Sequence, residues 1–430
     1  MLDRRKFLKD GLTLLSLGAT APSFLVNTLA QQRRLAEQGI ATAQWAAAAA
    51  NKFLVVVQLS GGNDGLNMVV PYGDQVYYNS RPNLGILENK VLKLNNSIGI
   101  PVGLHPRMNQ MKDLFDQGKG TLIQGVGYPN PNRSHFRAMD IWQTAEPVKE
   151  IKYGWLAKYF DVELANDPAV LKGVNIGGST PVALMGETAS PSIQNINTYS
   201  LSVDSRYPLD KPNRLKVFEQ VMSEQARSED LQYIQQTALE ANISSIELLA
   251  GVGKYPATNA PVYPAGSFGA GMKLIAQIIA GDLGVRVFYN SIGGFDTHAQ
   301  QIVTSDNTTG SHANLLGQLS DSLGAFWTDM KRLGRENDVM ILTFSEFGRR
   351  ISENGSSGTD HGTALPMFLF GTGLKTNVFN AHPSLTANLN QGDLGFTMDF
   401  RSVYATVLER WLGANSTAIL GQPWPLLDVL

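Results

Sequence analysis

The sequence predicts an α/β fold: a three-layer sandwich with a mainly parallel central sheet. Three observations carry that expectation. Continuous apolar, β-branched runs occur at 53–59, 121–126, 285–289 and 339–344, and such unbroken runs suit strands covered on both faces. Helix-like stretches at 106–117, 134–144, 271–280, 312–333 and 399–412 separate them, and strands alternating with helices imply a parallel sheet wrapped by helices. Polar motifs carrying Asp, Glu and His follow directly on the apolar runs, at the carboxyl edge where such sheets gather ligands.

The first fifty residues stand outside this pattern. Asp3-Arg4-Arg5-Lys6-Phe7 precedes an apolar segment at 11–25, diluted by Ser16, Gly18, Thr20 and Pro22, and small residues end it at Thr28-Leu29-Ala30. A paired arginine ahead of a short apolar segment is a twin-arginine export pattern. A spanning helix would want about 20 nearly uninterrupted apolar residues. Residues 1–30 are thus expected to be a twin-arginine signal peptide, 31–50 a linker and 51–430 the folded domain. The mature chain is expected in the periplasm or outside the cell, with the twin-arginine translocase as its partner during export and no stable membrane span.

Composition narrows the chemistry. The net charge of the 430 residues is −2, and the first thirty hold four basic and two acidic residues, which leaves −4 for the rest. Nothing there suggests a nucleic-acid partner. The absence of cysteine excludes disulfides, thiolate ligands and a cysteine nucleophile. Any metal must be held by oxygen or imidazole, and six histidines are present.

The first strand runs into Ser60-Gly61-Gly62-Asn63-Asp64-Gly65. Asp64 is placed to hold a metal at the sheet edge, although an Asn-Asp-Gly turn accounts equally for the residues. After the second strand comes Asn132-Arg133-Ser134-His135-Phe136. Ser134 opens a helix, where free N–H groups favour an anion or alkoxide, and a simple cap is the competing reading. Gly294-Phe295-Asp296-Thr297-His298 follows the third strand, and an Asp and a His two apart on a loop both reach one ion. The fourth strand ends in Ser345-Glu346-Phe347-Gly348-Arg349-Arg350, and Gly358-Thr359-Asp360-His361-Gly362 comes soon after. Arg349 or Arg350 is a candidate to hold an oxyanion, against a surface ion pair with Glu353 or Glu336. Between these motifs, 179–264 changes character: a long charged helical stretch at 214–249 and a Pro- and Gly-rich return at 251–271 suggest an inserted helical cap.

Taken in order, the twin-arginine signal, Gly61-Gly62-Asn63-Asp64-Gly65, Ser134-His135-Phe136, Gly294-Phe295-Asp296-Thr297-His298, Ser345-Glu346-Phe347-Gly348-Arg349 and Gly358-Thr359-Asp360-His361-Gly362 resemble the domain of unknown function 1501 family over about residues 51–415. That family is similar to the alkaline phosphatase and sulfatase superfamily, whose members carry two metal ions and a hydroxyl nucleophile. The resemblance implies an alkaline-phosphatase-like fold, Asp64 as the acidic ligand after the first strand and Ser134 as the hydroxyl. It makes Asp296 and His298 mid-chain ligands, with His312 as a substitute histidine. It places Glu346 where the superfamily has the Asp of a Ser-Asp-His-Gly strand end, and His361 at the final histidine. Phe347 stands in place of a usual histidine, so one metal site loses a ligand unless Asp360 or His135 supplies it. Ser134-His135-Phe136-Arg137 also lacks the Cys/Ser-x-Pro-x-Arg pattern that is converted to formylglycine.

The expected function is an exported metal-dependent hydrolase of a phosphate or sulfate ester or related oxyanion, acting on an anionic small molecule or glycan. Its nucleophile would be a hydroxyl or a metal-bound water. Ser134, His135 and Arg349 are the catalytic candidates; Asp64, Asp296, His298, Glu346, Asp360 and His361 are the candidate ligands of one or two divalent ions (Zn, Mg, Mn or Ca). The alternative, motivated by Phe347, is a catalytically weak or inactive metal- or glycan-binding envelope or scaffold protein.

Overall fold

A computed structural model describes residues 52–430 except 96–97, 168, 170, 189, 200–207 and 304. The signal peptide and linker expected at 1–30 and 31–50 lie outside the described residues. The described chain divides into two units, one of 52–151, 256–276 and 286–430, the other of 152–255 and 277–285.

The larger unit begins with β1 (Phe53–Leu59), α1 (Gly65–Met68), β2 (Val69–Val70), α2 (Gln75–Ser80), β3 (Leu92–Lys93), β4 (Gly103–Leu104), α3 (Asn109–Asp116), β5 (Gly120–Gly127) and α4 (His135–Thr144). The smaller unit holds α5 (Trp155–Glu163), β6 (Gly173–Ile176), α6 (Lys211–Met222) and α7 (Glu229–Gly253). After α8 (Ser267–Gly281), the larger unit continues with β7 (Val287–Ile292), α9 (Ser311–Arg332), β8 (Val339–Phe344), β9 (Leu365–Phe370), β10 (Val378–Phe379), β11 (Met398–Asp399), α10 (Phe400–Thr406) and α11 (Ser416–Leu420).

In the larger unit the sheet runs β10-β5-β9-β8-β1-β7, with β11 beside β5. β1 is parallel to both neighbours, with Val56 opposite Tyr289 and Leu342. Every residue of β1, β5 and β8 is buried. Alternate side chains face opposite sides of a strand, so Leu54 and Val56 are covered on one face and Val55 and Val57 on the other. Each such side chain contributes roughly 1.5–3 kcal/mol on burial. The mainly parallel three-layer expectation holds, with β9 reversed: it pairs antiparallel with both β5 and β8. β1, β5, β7 and β8 therefore end at one edge, and β9 begins there. β2, β4 and β3 form a separate small antiparallel sheet.

Several boundaries differ from the sequence reading. The helical stretch expected at 214–249 is two helices, because Ser228 starts α7 anew by accepting the Leu231 N–H at 3.2 Å. No strand occurs among the described residues of 179–264. The helix expected at 399–412 is α10 followed by a π-helical turn over Val407–Trp411.

Candidate metal centre

The convergent edge collects the loops that leave β1, β5, β7 and β8 and the loop that enters β9. Two positions there require glycine. Gly61 has φ 121°, and a Cβ on it would lie 2.4 Å from the backbone N of Asp296. Gly62 has φ 70°, and a Cβ would meet the Phe347 ring at 2.2 Å. The first glycine lets the β1 and β7 loops touch; the second admits Phe347, whose buried ring packs 4.9 Å from that of His135 and 4.6 Å from that of His361.

Ligand atoms of His135, Asp296 and His361 lie within 4.8 Å of one another. His298 joins them: its Nε2 is 2.9 Å from His361 Nε2 and 3.2 Å from Asp296 Oδ1. His361 Nε2 is likewise 3.2 Å from Asp296 Oδ1. His135 Nε2 is buried without a hydrogen-bond partner, 3.5 Å from Asp296 Oδ2.

The other nitrogen of each ring decides what these Nε2 atoms offer. His135 Nδ1 lies 2.8 Å from Glu346 Oε1, His298 Nδ1 lies 3.2 Å from Asp360 Oδ1, and His361 Nδ1 lies 2.9 Å from the Arg133 carbonyl. Carboxylate and carbonyl oxygens accept, so each Nδ1 carries the proton and each Nε2 presents a lone pair. Two lone pairs facing each other at 2.9 Å repel unless a cation or a proton lies between them. Ligand atoms about 2.0–2.1 Å from a tetrahedral Zn²⁺ would be separated by roughly 3.3 Å, close to the 2.9–3.5 Å found here. The orphaned His135 nitrogen, the three acceptor-held imidazoles and the adjoining carboxylate fit a divalent ion, and acceptors behind ligating histidines are the usual means of fixing their tautomers.

Electrostatics keep Asp296 charged. Burial alone would raise its pKa, but the hydrogen bond and charge of Arg349 lead what outweighs that and holds it at about 2. Asp360 is held below the usual carboxylate range chiefly by the Asn354 amide, against a desolvation penalty. Burial pushes His361 down, so its neutral, ligating form is favoured.

The sequence candidates separate into groups. Asp296, His298 and His361 come together with His135. Asp360 and Glu346 stand behind the cluster as acceptors for histidines. Glu346 is buried and also accepts from the Gly61 N–H at 2.9 Å and the Ser345 hydroxyl at 3.0 Å.

Asp64 is not brought to the cluster. Its buried carboxylate accepts from Arg81 at 2.7 Å, Gln301 at 2.6 Å and the Asn67 N–H at 3.4 Å. Burial would raise its pKa, yet the Arg81 charge, ahead of the other neighbours, lowers it to about 2. His312 is not there either; its Nε2 lies 2.9 Å from Asn63 Oδ1 within the buried interior.

Arg349 pairs with Asp296 rather than with Glu353 or Glu336. Its buried guanidinium donates to the carbonyls of Gly62, Thr359, Gly61 and Phe295 and to Asp296 Oδ1. It knits the loops together, and these acceptors leave it poorly placed to hold an oxyanion. Ser134 sits at the N-cap of α4, exposed, with no side-chain cap bond; Asn132 Oδ1 takes the Ser134 N–H instead.

Sequence reasoning missed Arg81, Gln301 and the Arg133 carbonyl. Arg81 lies 17 residues beyond Asp64, with no motif around it. The Arg133 contact is made by backbone, which no side-chain pattern reveals.

No curated protein matches the sequence. Among solved structures, the fold is similar to the PsFucS1 sulfatase from Pseudoalteromonas sp., at 11% identity over 95% of this chain and 75% of that one, with a TM-score of 0.38. It is also similar to a protein in the alkaline phosphatase superfamily from Vibrio parahaemolyticus (11% identity, 99% and 80% covered, TM-score 0.36). A third is the phosphonate monoester hydrolase SpPMH from Silicibacter pomeroyi (8% identity, 87% and 77% covered, TM-score 0.34). Likenesses at these scores transfer neither residue roles nor activity. A sequence family described as "Protein of unknown function (DUF1501)" matches residues 118–413, a span that takes in every residue of the histidine cluster and leaves the Asp64 loop outside. On that match, the chain belongs to this family.

Proposed function

We propose that the protein is an exported metal-dependent hydrolase of a phosphate or sulfate ester or related oxyanion substrate. One observation carries the reading: ligand atoms of His135, Asp296 and His361 lie within 4.8 Å of one another at the sheet edge, with His298 Nε2 beside His361 Nε2 at 2.9 Å. A divalent ion bound there would act as a Lewis acid, neutralising charge that develops on the substrate. His135, Asp296, His298 and His361 would hold it. Glu346, Asp360 and the Arg133 carbonyl would fix the three histidine tautomers, and Arg349 would keep the loops in register. The exposed Ser134 hydroxyl, next to His135 in sequence at the start of α4, would serve as nucleophile, because the helix N-terminus favours its alkoxide.

Export through the twin-arginine translocase to the periplasm or beyond belongs to the same proposal, on the Arg4-Arg5 pattern. No helix of the described residues is long and apolar enough to cross a membrane. The segment 179–264 is proposed as a cap insertion on its sequence character.

A panel of aryl phosphate and aryl sulfate esters tests the activity. Turnover that depends on added divalent metal and is abolished in Asp296→Ala is the expected result; metal binding without turnover of any ester would leave only a binding protein. That second reading has one observation in its favour, since Arg349 has its donors engaged by the protein itself. Periplasmic accumulation lost in the Arg4→Lys, Arg5→Lys double variant is expected for the export step, because lysine does not reproduce guanidinium geometry.

A further inference from the structure

Resting on the metal reading above, we propose that the centre takes a single divalent ion of the imidazole-preferring class, Zn²⁺ foremost, and that the Arg81 guanidinium is the fixed cation that answers Asp64 in place of a second metal.

An ion binds where unoccupied lone pairs converge. Around the cluster, the three Nε2 atoms have them. Around Asp64, the buried carboxylate already answers three donors. Oδ2 accepts from both Arg81 Nη1 and Gln301 Nε2, and Oδ1 from the Asn67 N–H.

Neither partner is free to leave. Arg81 is buried, and its remaining nitrogens donate to the carbonyls of Ile351 at 2.8 Å and Arg350 at 2.7 Å, with Asn67 Oδ1 at 2.8 Å. Gln301 cannot turn its amide over, because its Oε1 accepts from the hydroxyls of Thr297 and Thr359, each at 2.9 Å. Its NH₂ must face Asp64. Replacing Arg81 by a metal ion would strand a buried guanidinium, which is strongly unfavourable.

The other groups that a second ion would need are also engaged. Glu346 answers Gly61, Ser345 and His135, and His312 Nε2 is turned to Asn63. What remains is His135, Asp296 and His361, with ligand atoms within 4.8 Å of one another, and His298 beside His361. Three imidazoles with a carboxylate suit Zn²⁺ and its neighbours in the transition series, whereas Mg²⁺ and Ca²⁺ take oxygen ligands.

The test is metal stoichiometry on the full chain, stripped with chelator and titrated with ZnCl₂ by native mass spectrometry and calorimetry. We expect one Zn²⁺ per chain, retained in the presence of about a hundredfold excess of MgCl₂ or CaCl₂. The affinity should fall by at least about tenfold in His298→Gln and stay within about threefold in the isosteric Asp64→Asn. Two equivalents of comparable affinity would overturn the single-ion inference and leave the metal reading standing. Displacement of Zn²⁺ by equimolar Mg²⁺ or Ca²⁺ would overturn the ion class. No bound equivalent would overturn the metal reading and the inference together. The wild-type stoichiometry decides the matter even if a variant misfolds.

Discussion

Asp64 and Asp296 follow neighbouring parallel strands on glycine-bearing loops, and each meets a buried arginine that helps hold its pKa at about 2. They differ in what surrounds the remaining oxygen lone pairs. Asp64 is fully buried and enclosed by donors; the Asp296 side chain is half-exposed and faces three histidine nitrogens that offer lone pairs of their own. A lowered pKa at a sheet edge is therefore no mark of function by itself, because ion pairs that build the structure lower pKa values as well. The mark is a carboxylate beside acceptors that repel one another until a cation arrives.

The largest effect should come from breaking the dry pair. Arg81→Met leaves the Asp64 charge buried without its counter-ion, which typically costs about 3–5 kcal/mol. Asp296→Asn, at the wet end of the same edge, should cost less, because the half-exposed carboxylate is screened by solvent and the buried Arg349 keeps its carbonyl acceptors. Urea unfolding midpoints of the two variants measure the contrast. Equal losses would mean that the two aspartates do the same structural job.

Acid sharpens the comparison, because the dry region also holds His312. Burial pushes its pKa from 6.5 down to about 4, with the Asp64 charge opposing and the Arg81 and Arg349 charges adding. The folded state then binds fewer protons than the unfolded chain across that interval. The contribution of neutral His312 is present above pH 6.5 and is lost as pH falls towards 4, by on the order of 3 kcal/mol. His312→Gln should flatten the dependence of stability on pH in that window, whatever its baseline. Asp64 acts lower down: its contribution is complete above pH 3.8 and is lost as pH falls through about 2.

Next comes the support behind the wet cluster. Glu346→Gln weakens the acceptor that fixes the His135 tautomer, and loss of such a partner lowers metal affinity by about tenfold to a hundredfold. Calorimetric titration of Zn²⁺ into the two proteins reads it. Unchanged affinity would mean that His135 is not a ligand.

The two regions also differ in how legible they were. Asp296, His298 and His361 were visible because each lies in a short polar motif against an apolar strand, and strand ends of a parallel sheet converge. The reversed β9 was missed: Pro366 and the short run around it weaken the strand signal, and its pairing with β5 and β8 is set by tertiary contact. Asp64 reads as a candidate ligand because its loop, like the Asp296 loop, sets a carboxylate two residues after a Gly-Gly pair, just past a buried strand. What separates them is Arg81 and Gln301, whose approach depends on the small helix α2 and on the loop after β7. Side-chain pairings over 17 and 237 residues leave no periodicity to read.

The smallest stability effect is expected at Ser134, and that makes it the most useful position for isolating chemistry. Two helices begin at this edge. Asp64 caps α1 by accepting the Asn67 N–H, whereas Ser134 occupies the N-cap of α4 without a side-chain cap bond. Replacing an N-cap serine by alanine ordinarily costs about 1 kcal/mol, most of it from the lost cap hydrogen bond. With no such bond here, Ser134→Ala should cost less than about 0.5 kcal/mol and shift the unfolding midpoint little. A nucleophilic hydroxyl would show the opposite sensitivity, with ester turnover falling by about a thousandfold or more while Zn²⁺ stoichiometry and affinity hold. A variant that loses about 1 kcal/mol or more and keeps its turnover would make Ser134 a helix cap after all, and the nucleophile would have to be sought elsewhere at the cluster.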